Sequence, residues 1–171
     1  RSYPTRQWIW DTLFPEVQTS CGVLLPSQKN YILGISTGAR GAALLARDDT
    51  TGLFAAAALL SGDFDQTLNK QDNLIRLVYG PYAAHTKRWQ TVDNVVHDLH
   101  RLQLPLYIAH GMADAIVSPR HSTALADTLR GAFPSLRIQT DFPRGQGHTY
   151  SFWKGQCRKA LHFFISSDKK N

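Results

Sequence analysis

The sequence predicts an α/β domain with a mainly parallel sheet flanked by helices. Short β-prone runs alternate along the chain with segments that have the period of an amphipathic helix, which is the pattern of strands joined by helical crossovers. One of these runs, 53–60, is apolar at every position, as expected of a strand that helices cover on both faces. With 171 residues, of which 43% are hydrophobic and 19% charged, the chain is predicted to form a single domain over 1–171.

A helix, a strand and a second helix are predicted in the first third of the chain. The β-prone run 31–35 predicts the first strand, and the small-residue segment 36–46 has helix-forming composition. An earlier helix is predicted over about 5–18, with a kink at Pro15. It has an apolar stripe at i, i+3, i+4 and i+7, formed by Trp10, Leu13, Phe14 and Val17.

The rest of the chain continues this alternation after an interruption. Polar, irregular sequence follows the second strand, and we expect an excursion with short helices over about 63–103. Strands are then predicted at 105–110 and 136–140, with a helix that starts at Pro119 between them. The last helix is predicted to turn one apolar face inward, formed by Trp153, Cys157, Ala160, Leu161 and Phe164.

The clearest chemical signal is a serine motif, Gly34-Ile35-Ser36-Thr37-Gly38. A G-x-S-x-G between a strand and a helix is typical of a nucleophile elbow, in which strained backbone holds the serine hydroxyl at the carboxyl edge of a sheet. Glycines are expected at 34 and 38 because side chains there would collide with the turn or the neighbouring strand. The backbone N–H of Thr37 is then placed to donate to an oxyanion. The alternatives are tight helix packing and a phosphate loop, for which the Lys-Ser/Thr ending is missing.

A nucleophilic serine needs a base and an acid, and Asp114 and His148 follow it in the order that the motif requires. Asp114 comes after the third predicted strand, and His148 lies in a glycine-flanked loop after the fourth. Because parallel strands end at one edge of a sheet, these side chains are predicted to meet the serine there. Asp63, after the second strand, is the competing acid. A turn aspartate that bonds its own backbone is the alternative for Asp114.

The remaining histidines and the cysteines give weaker signals. His110 is expected to be structural at its strand end, and a metal site at His97 and His100 lacks further ligands. Since a serine, a base and an acid suffice for acyl transfer, we expect neither a metal nor an organic cofactor. Cys21 and Cys157 form no metal-type spacing. They are predicted to stay unpaired, because their helices would cover opposite faces of the sheet.

Charge and hydropathy argue against several classes of protein. The formal net charge is +6, from 19 Lys and Arg against 13 Asp and Glu, but the basic residues are scattered among acidic and apolar ones. This pattern argues against nucleic-acid binding. No run approaches the roughly 18 apolar residues of a spanning helix. We expect a protein that neither binds nucleic acid nor spans a membrane, with the cytoplasm favoured over a secreted location.

Four segments of the chain together carry a resemblance. They are Gly34-Ile35-Ser36-Thr37-Gly38-Ala39-Arg40-Gly41-Ala42, Leu60-Ser61-Gly62, His110-Gly111-x-x-Asp114 and Gly147-His148-Thr149-Tyr150-Ser151-Phe152-Trp153. In this order they are similar to the C-terminal portion of the α/β-hydrolase esterases that include esterase D-like S-formylglutathione hydrolases and feruloyl esterases, over about Tyr3 to Phe164. The resemblance implies an α/β-hydrolase fold and a triad of Ser36, His148 and Asp114 that cleaves carboxylic esters or thioesters through an acyl-enzyme.

The resemblance also suggests where a small-molecule ester or thioester would bind. Trp89 lies in the excursion that helps shape the acyl pocket in such enzymes, with plain packing as the alternative. Tyr150, two residues after His148, is a second candidate pocket residue.

Two departures from the family pattern bear on function. Thr37 stands where the family usually has Met after the serine, but Thr37 still supplies its N–H. The family also carries further strands and a second oxyanion loop ahead of the segment that begins at Arg1. We therefore expect a chain truncated at its N-terminus, with a preceding segment or a second copy in a homodimer completing the sheet. The alternatives to an esterase are a serine peptidase and a catalytically silent binding module.

Overall fold

A four-stranded parallel sheet forms the centre of the protein. The computed structural model describes residues 4–168, so Tyr3, where the family resemblance begins, lies outside the described residues. Each strand begins and ends within two residues of the positions that the sequence predicts. All neighbouring strands pair in parallel, so the predicted fold class is confirmed. The strands lie in chain order across the sheet and are β1 Asn30–Ile35, β2 Phe54–Leu60, β3 Leu106–Ala109 and β4 Ile138–Asp141.

Helices occupy most of the remaining described chain. The α-helices are α1 Thr5–Trp8, α2 Phe14–Cys21, α3 Thr37–Asp48, α4 Asn73–Tyr79, α5 Tyr82–Gln90, α6 Arg120–Ala132 and α7 Tyr150–Asp168. A π-helical segment, Ile9–Leu13, joins α1 to α2. Two 3₁₀ helices, Gln66–Asn69 and Val95–Arg101, lie with α4 and α5 in the excursion between β2 and β3.

The register brings the carboxyl ends of the strands to one edge of the sheet. One register row consists of the last residues of the four strands, Ile35, Leu60, Ala109 and Asp141. Backbone hydrogen bonds extend the alignment by one residue, from the N–H of Ser36 to Leu60, of Ser61 to Ala109 and of His110 to Asp141. Loops that follow neighbouring strands therefore start next to one another.

The two central strands of the sheet, β2 and β3, are buried on both faces. Ala57 and Leu59 of β2 pack in one layer with α3 and α6, while Ala58 and Leu60 pack in the other with α7. Successive residues of a strand point to opposite faces, so a strand covered by helices on both sides has no polar alternation. The uniformly apolar run in the sequence is explained by this arrangement.

The first predicted helix is confirmed, with a π-helical turn inside it. Pro15 has no N–H to donate to the carbonyl four residues earlier, and the wider turn Ile9–Leu13 precedes it. The rings of Trp10 and Phe14 each lie 6.0 Å from the ring of Phe54 at the start of β2. These contacts dock the helix against the sheet.

The excursion between β2 and β3 is tied to α3 by a buried arginine. Arg47 is 3% exposed. Its guanidinium donates to the carbonyl oxygens of Asn94 at 2.9 Å and Val92 at 3.2 Å. Because both carbonyls belong to the loop that ends α5, this arginine fixes the position of the excursion relative to the core.

The inward face of α7 differs from its prediction at one position. Trp153, Ala160 and Phe164 are buried as predicted, but Leu161 is 59% exposed, so its predicted burial is wrong. Phe163 is buried instead, because residues three and four apart share a helix face and 160, 163 and 164 follow that spacing. Within the described chain, neither α7 nor a shorter helix combines the length and apolar character that crossing a bilayer requires.

The two cysteines are free thiols, as predicted. Cys21 is exposed at the end of α2, and Cys157 is partly buried on α7. The prediction that they do not form a disulfide is therefore confirmed.

Candidate active site

Ser36 lies in the sharp turn between β1 and α3. Its backbone has φ 56° and ψ −127°, a conformation that costs a non-glycine residue about 1–3 kcal/mol. A Cβ on Gly34 would overlap the carbonyl of Gly38, so the close approach of helix to strand requires glycine at 34. The corresponding expectation for Gly38 is wrong, because a Cβ there would meet no described atom within 4 Å.

The structure brings Ser36, His148 and Asp114 together in one hydrogen-bonded row. His148 Nε2 lies 3.0 Å from Ser36 Oγ, and His148 Nδ1 lies 2.6 Å from Asp114 Oδ2. A carboxylate oxygen only accepts, so Nδ1 carries the hydrogen and Nε2 is free to accept the proton of the Ser36 hydroxyl. A serine in this setting can lose its proton to the imidazole as it attacks an electrophile.

Asp114 is held by hydrogen bonds to both of its oxygens. Oδ1 accepts the backbone N–H groups of Ile116 and Val117, each at 2.9 Å, while Oδ2 accepts from His148. Burial raises the pKa of this carboxyl, but the hydrogen bonds from Val117, His148 and Ile116 outweigh it and hold the pKa below its ordinary value of 3.8. Asp114 is therefore ionised at neutral pH and can stabilise an imidazolium.

Backbone hydrogen bonds join the loop that carries the acid to the loop that carries the imidazole. Met112 N donates to Pro143 O at 2.9 Å. Ala113 N donates to Gln146 O at 2.8 Å. A Cβ on Gly111 would overlap the Gln146 carbonyl, so glycine at this position permits the close approach of the two loops. Sequence reasoning missed this connection, because pairing between two loops leaves no local pattern.

One aromatic ring packs on the imidazole, a second packs on the first, and a third lies elsewhere. Trp153 packs on His148 at 4.8 Å with the rings 86° apart, and Tyr150 contacts Trp153 at 5.3 Å. Tyr150 is 86% exposed, so this predicted pocket residue is accessible. Trp89 is fully buried and donates its Nε1–H to Gly80 O at 3.0 Å. The structure therefore supports the packing alternative for Trp89.

Asp63, the competing acid, pairs with a different side chain. Its Oδ2 accepts from Arg40 of α3 at 2.8 Å, and its Oδ1 is buried without a hydrogen-bond partner in the described chain. Burial raises the pKa of Asp63 above its ordinary value, against the lowering effect of Arg40. The imidazole of His148 bonds to Asp114, whereas Asp63 pairs with Arg40.

The rest of the described chain offers a groove but no cluster of metal ligands. Among residues 4–168, no group of three or more His, Cys, Asp or Glu side chains is placed to hold a metal ion. A groove of about 1070 Å³ opens between the first helices and α5, with Arg40 and Tyr79 in its wall. None of the described wall residues is Ser36, Asp114 or His148, so the groove is separate from the hydrogen-bonded row.

Several solved structures are similar in fold to this chain. No protein-family profile and no curated protein sequence matches it. An acylaminoacyl peptidase in complex with Z-Gly-Gly-Phe-chloromethyl ketone matches with a TM-score of 0.71 at 14% identity, over 85% of this chain and 24% of its own. A puromycin hydrolase matches with a TM-score of 0.71 at 13% identity, over 93% of this chain and 24% of its own. Est1E from Butyrivibrio proteoclasticus matches with a TM-score of 0.63 at 18% identity, over 84% of this chain and 63% of its own.

These matches decide the fold. The protein has an α/β-hydrolase fold. At identities of 13% and 14%, the likeness to the first two structures is one of fold, and the chain spans about a quarter of their length. Within this α/β-hydrolase fold, the turn after β1 carries Ser36, and the loops after β3 and β4 carry Asp114 and His148.

Proposed function

We propose that the protein is a serine hydrolase that cleaves carboxylic esters or thioesters through an acyl-enzyme on Ser36. The observation that supports this most strongly is the position of His148, 3.0 Å from Ser36 Oγ and 2.6 Å from Asp114 Oδ2. The solved structures of the same fold include peptidases, a puromycin hydrolase and Est1E, which supports a serine hydrolase in general.

Each residue has a defined part in the proposed reaction. Ser36 Oγ attacks the carbonyl carbon, and its proton passes to His148 Nε2. Asp114 accepts the Nδ1–H hydrogen bond and stabilises the imidazolium that forms. His148 then gives the proton to the departing alcohol or thiol, which leaves an ester between the acyl group and Ser36. Water repeats the cycle on this acyl-enzyme and releases the acid.

The negative oxygen of the tetrahedral intermediate needs a hydrogen-bond donor. Thr37 is the first residue of α3, so its N–H has no acceptor inside the helix. We assign this N–H to the oxyanion, where the positive end of the helix dipole also favours negative charge. One donor of this kind is typically worth about 10²–10³ in turnover.

Peptide hydrolysis is the second candidate function. The four motif segments resemble esterases, and an ester or thioester expels a weaker base than an amide does. The structural match to an acylaminoacyl peptidase is the observation that favours peptides. Tyr150 is exposed and packs on Trp153, the ring next to His148, and it would offer its own ring to the substrate in either reaction.

A fluorophosphonate probe tests the proposed nucleophile. We expect the parent protein to be labelled and Ser36→Ala to remain unlabelled, because the probe reacts with an activated serine. Ser20→Ala is the matched control, since Ser20 is exposed on α2 and its hydroxyl donates to Glu16. Equal labelling of Ser36→Ala and the parent would refute the nucleophile, and no labelling of the parent would favour the silent binding module.

A matched pair of chromogenic substrates tests the bond that is cleaved. We expect the p-nitrophenyl ester of a short acyl group to be hydrolysed with a higher kcat/KM than acyl-peptide p-nitroanilides. Faster cleavage of the anilides would instead support the peptidase. Hydrolysis of the ester and of the anilides should both disappear in Ser36→Ala.

A further inference from the structure

A second histidine, His110, contacts the carboxylate of Asp114. It directly follows β3, and its side chain is completely buried. We propose that His110 positions Asp114 through its single Nε2–H, which bonds Val117 O and is shared with the nearby Asp114 carboxylate, so that one buried imidazole holds both the acid and its loop. The proposal rests on the proposed function, in which Asp114 is the acid behind His148.

His110 is fixed at both of its ring nitrogens. Nε2 lies 3.0 Å from Val117 O and 3.2 Å from Asp114 Oδ2. Nδ1 lies 2.7 Å from Ser122 Oγ, and Ser122 is fully buried in the first turn of α6. The ring therefore links α6 to the loop that carries the acid.

These neighbours determine where the proton of His110 lies. The two oxygens next to Nε2 belong to a carbonyl and a carboxylate, which only accept, so Nε2 carries a hydrogen. Burial lowers the pKa of His110 below its ordinary value of 6.5, against the raising effects of Val117 and Asp114, and His121 on α6 lowers it further. The ring is therefore neutral at neutral pH, and Nδ1 accepts the hydroxyl hydrogen of Ser122.

With His110 in place, both oxygens of Asp114 are held. Oδ1 accepts two backbone N–H groups from its own loop. Oδ2 accepts from His148, and His110 Nε2 lies 3.2 Å from it, with its hydrogen shared between Oδ2 and the nearer Val117 O. Because Val117 N donates to Oδ1, the bond from His110 to Val117 O also fixes the turn that holds the carboxylate.

The contact of His110 with Oδ2 has a consequence for the acid. Without His110, the carboxylate would be held at Oδ1 alone, and the direction of Oδ2 would follow the movements of the His148 loop. The shared N–H of His110 at the end of β3 restrains Oδ2, and through Val117 the turn around it, independently of that loop. It also stabilises the negative charge of the carboxylate, which keeps the shared proton on His148 Nδ1 rather than on the acid.

Three variants separate this positioning role from ordinary packing. His110→Leu removes the donor, whereas His110→Gln keeps an N–H near the place of Nε2. His121→Leu is the matched control, because His121, on α6, is also a buried histidine but accepts from the backbone N–H of Asp65. For each variant, kcat and KM for a p-nitrophenyl ester and the rate of fluorophosphonate labelling are measured.

We expect His110→Leu to lower kcat and the labelling rate by about tenfold or more, with KM nearly unchanged, and His110→Gln to recover most of the loss. His121→Leu should keep the kcat of the parent. Equal rates in His110→Leu and His121→Leu, with a parent that is labelled, would overturn the inference and leave the proposed function intact. A parent that is not labelled would overturn the proposed function and this inference with it.

One measurement needs no variant and so does not depend on whether a variant folds. Long-range proton–nitrogen correlation spectra of the parent, with its histidine nitrogens isotopically labelled, report which nitrogen of each ring carries the proton. We expect His110 to be protonated on Nε2 alone near neutral pH. A His110 ring protonated on Nδ1 alone would overturn the inference, because such a ring has no hydrogen to donate to Asp114.

Discussion

The indole of Trp153 donates its Nε1–H to the hydroxyl of Ser61 at 3.1 Å. Ser61 directly follows β2, is fully buried and has a φ of 52°, so its hydroxyl is presented to α7 from a constrained backbone. The same indole packs against His148. This hydrogen bond therefore connects the end of a central strand to the imidazole that we propose as the general base.

Trp153→Phe should lower both the stability and the reaction rate. Phenylalanine keeps an aromatic ring beside His148 but leaves the buried hydroxyl of Ser61 without its donor, which costs about 1–2 kcal/mol in the free energy of unfolding. Urea unfolding measures this loss, and fluorophosphonate labelling should slow several-fold because the imidazole is less constrained. Trp8→Phe, at a half-exposed tryptophan of α1, is the control, and the same losses there would contradict the prediction.

Alanine at the two glycines of the elbow should have opposite effects. Gly34→Ala places a methyl group against the Gly38 carbonyl, and we expect the free energy of unfolding to fall by about 2–3 kcal/mol with loss of labelling. Gly38→Ala meets no described atom within 4 Å. Because Gly38 lies in α3, this change should be neutral or stabilise by up to about 1 kcal/mol. Thermal unfolding compares the two, and a larger loss in Gly38→Ala would refute this account of the turn.

The two candidate acids can be separated by one substitution at each. Asp114→Asn should lower kcat by about 10⁴-fold, because an amide no longer holds His148 in the tautomer that accepts from serine. Asp63→Asn should change kcat by less than about fivefold, since Asp63 pairs with Arg40. Steady-state kinetics with a p-nitrophenyl ester measure both. A greater loss of kcat in Asp63→Asn than in Asp114→Asn would instead identify Asp63 as the acid.

Acid should weaken the fold in two stages. Burial lowers the pKa values of His110 and His121 below 6.5, so below about that pH the unfolded chain binds more protons and the free energy of unfolding decreases. Although burial raises the pKa of Asp49 and of Asp114, hydrogen bonds hold both below 3.8, so more stability is lost below that pH. Asp63 has a raised pKa, so the folded chain binds its proton more readily than the unfolded chain does, and this group increases the free energy of unfolding as the pH falls.

Urea unfolding at a series of pH values checks this dependence. His121→Gln should flatten the first stage, because the variant lacks one of the two histidines that take up a proton only on unfolding. A free energy of unfolding that stays constant between neutral pH and about pH 5 would contradict the prediction.

The elements around Ser36 could be predicted because their signals are local. Glycine spacing, a β-prone run and a helix-forming segment are adjacent in the sequence, and the structure has a strand, a sharp turn and a helix there. Asp114 and His148 could be selected by their order, because parallel strands end at one edge and the loops after β3 and β4 begin there. Leu161 was misplaced because one apolar residue next to the buried stripe has no sequence feature that marks it as exposed.

The contacts that hold the site together could not be predicted in the same way. Ser61 and Trp153 are 92 positions apart, and neither belongs to a motif that names the other. His110 has the pattern of a strand-end histidine, and its contact with Asp114 depends on how the loop after β3 turns back toward the strand. Such contacts arise from tertiary packing, which a periodicity along the chain does not encode.

Trapping of the covalent intermediate tests the central claim most directly. The protein is mixed with a p-nitrophenyl ester, quenched in acid during turnover, and examined by intact mass and peptide mass spectrometry. We predict a mass increase equal to the acyl group on the peptide that contains Ser36, and no increase in Ser36→Ala. Release of nitrophenol by the parent and by Ser36→Ala at equal rates, with no acylated peptide in either, would contradict the account.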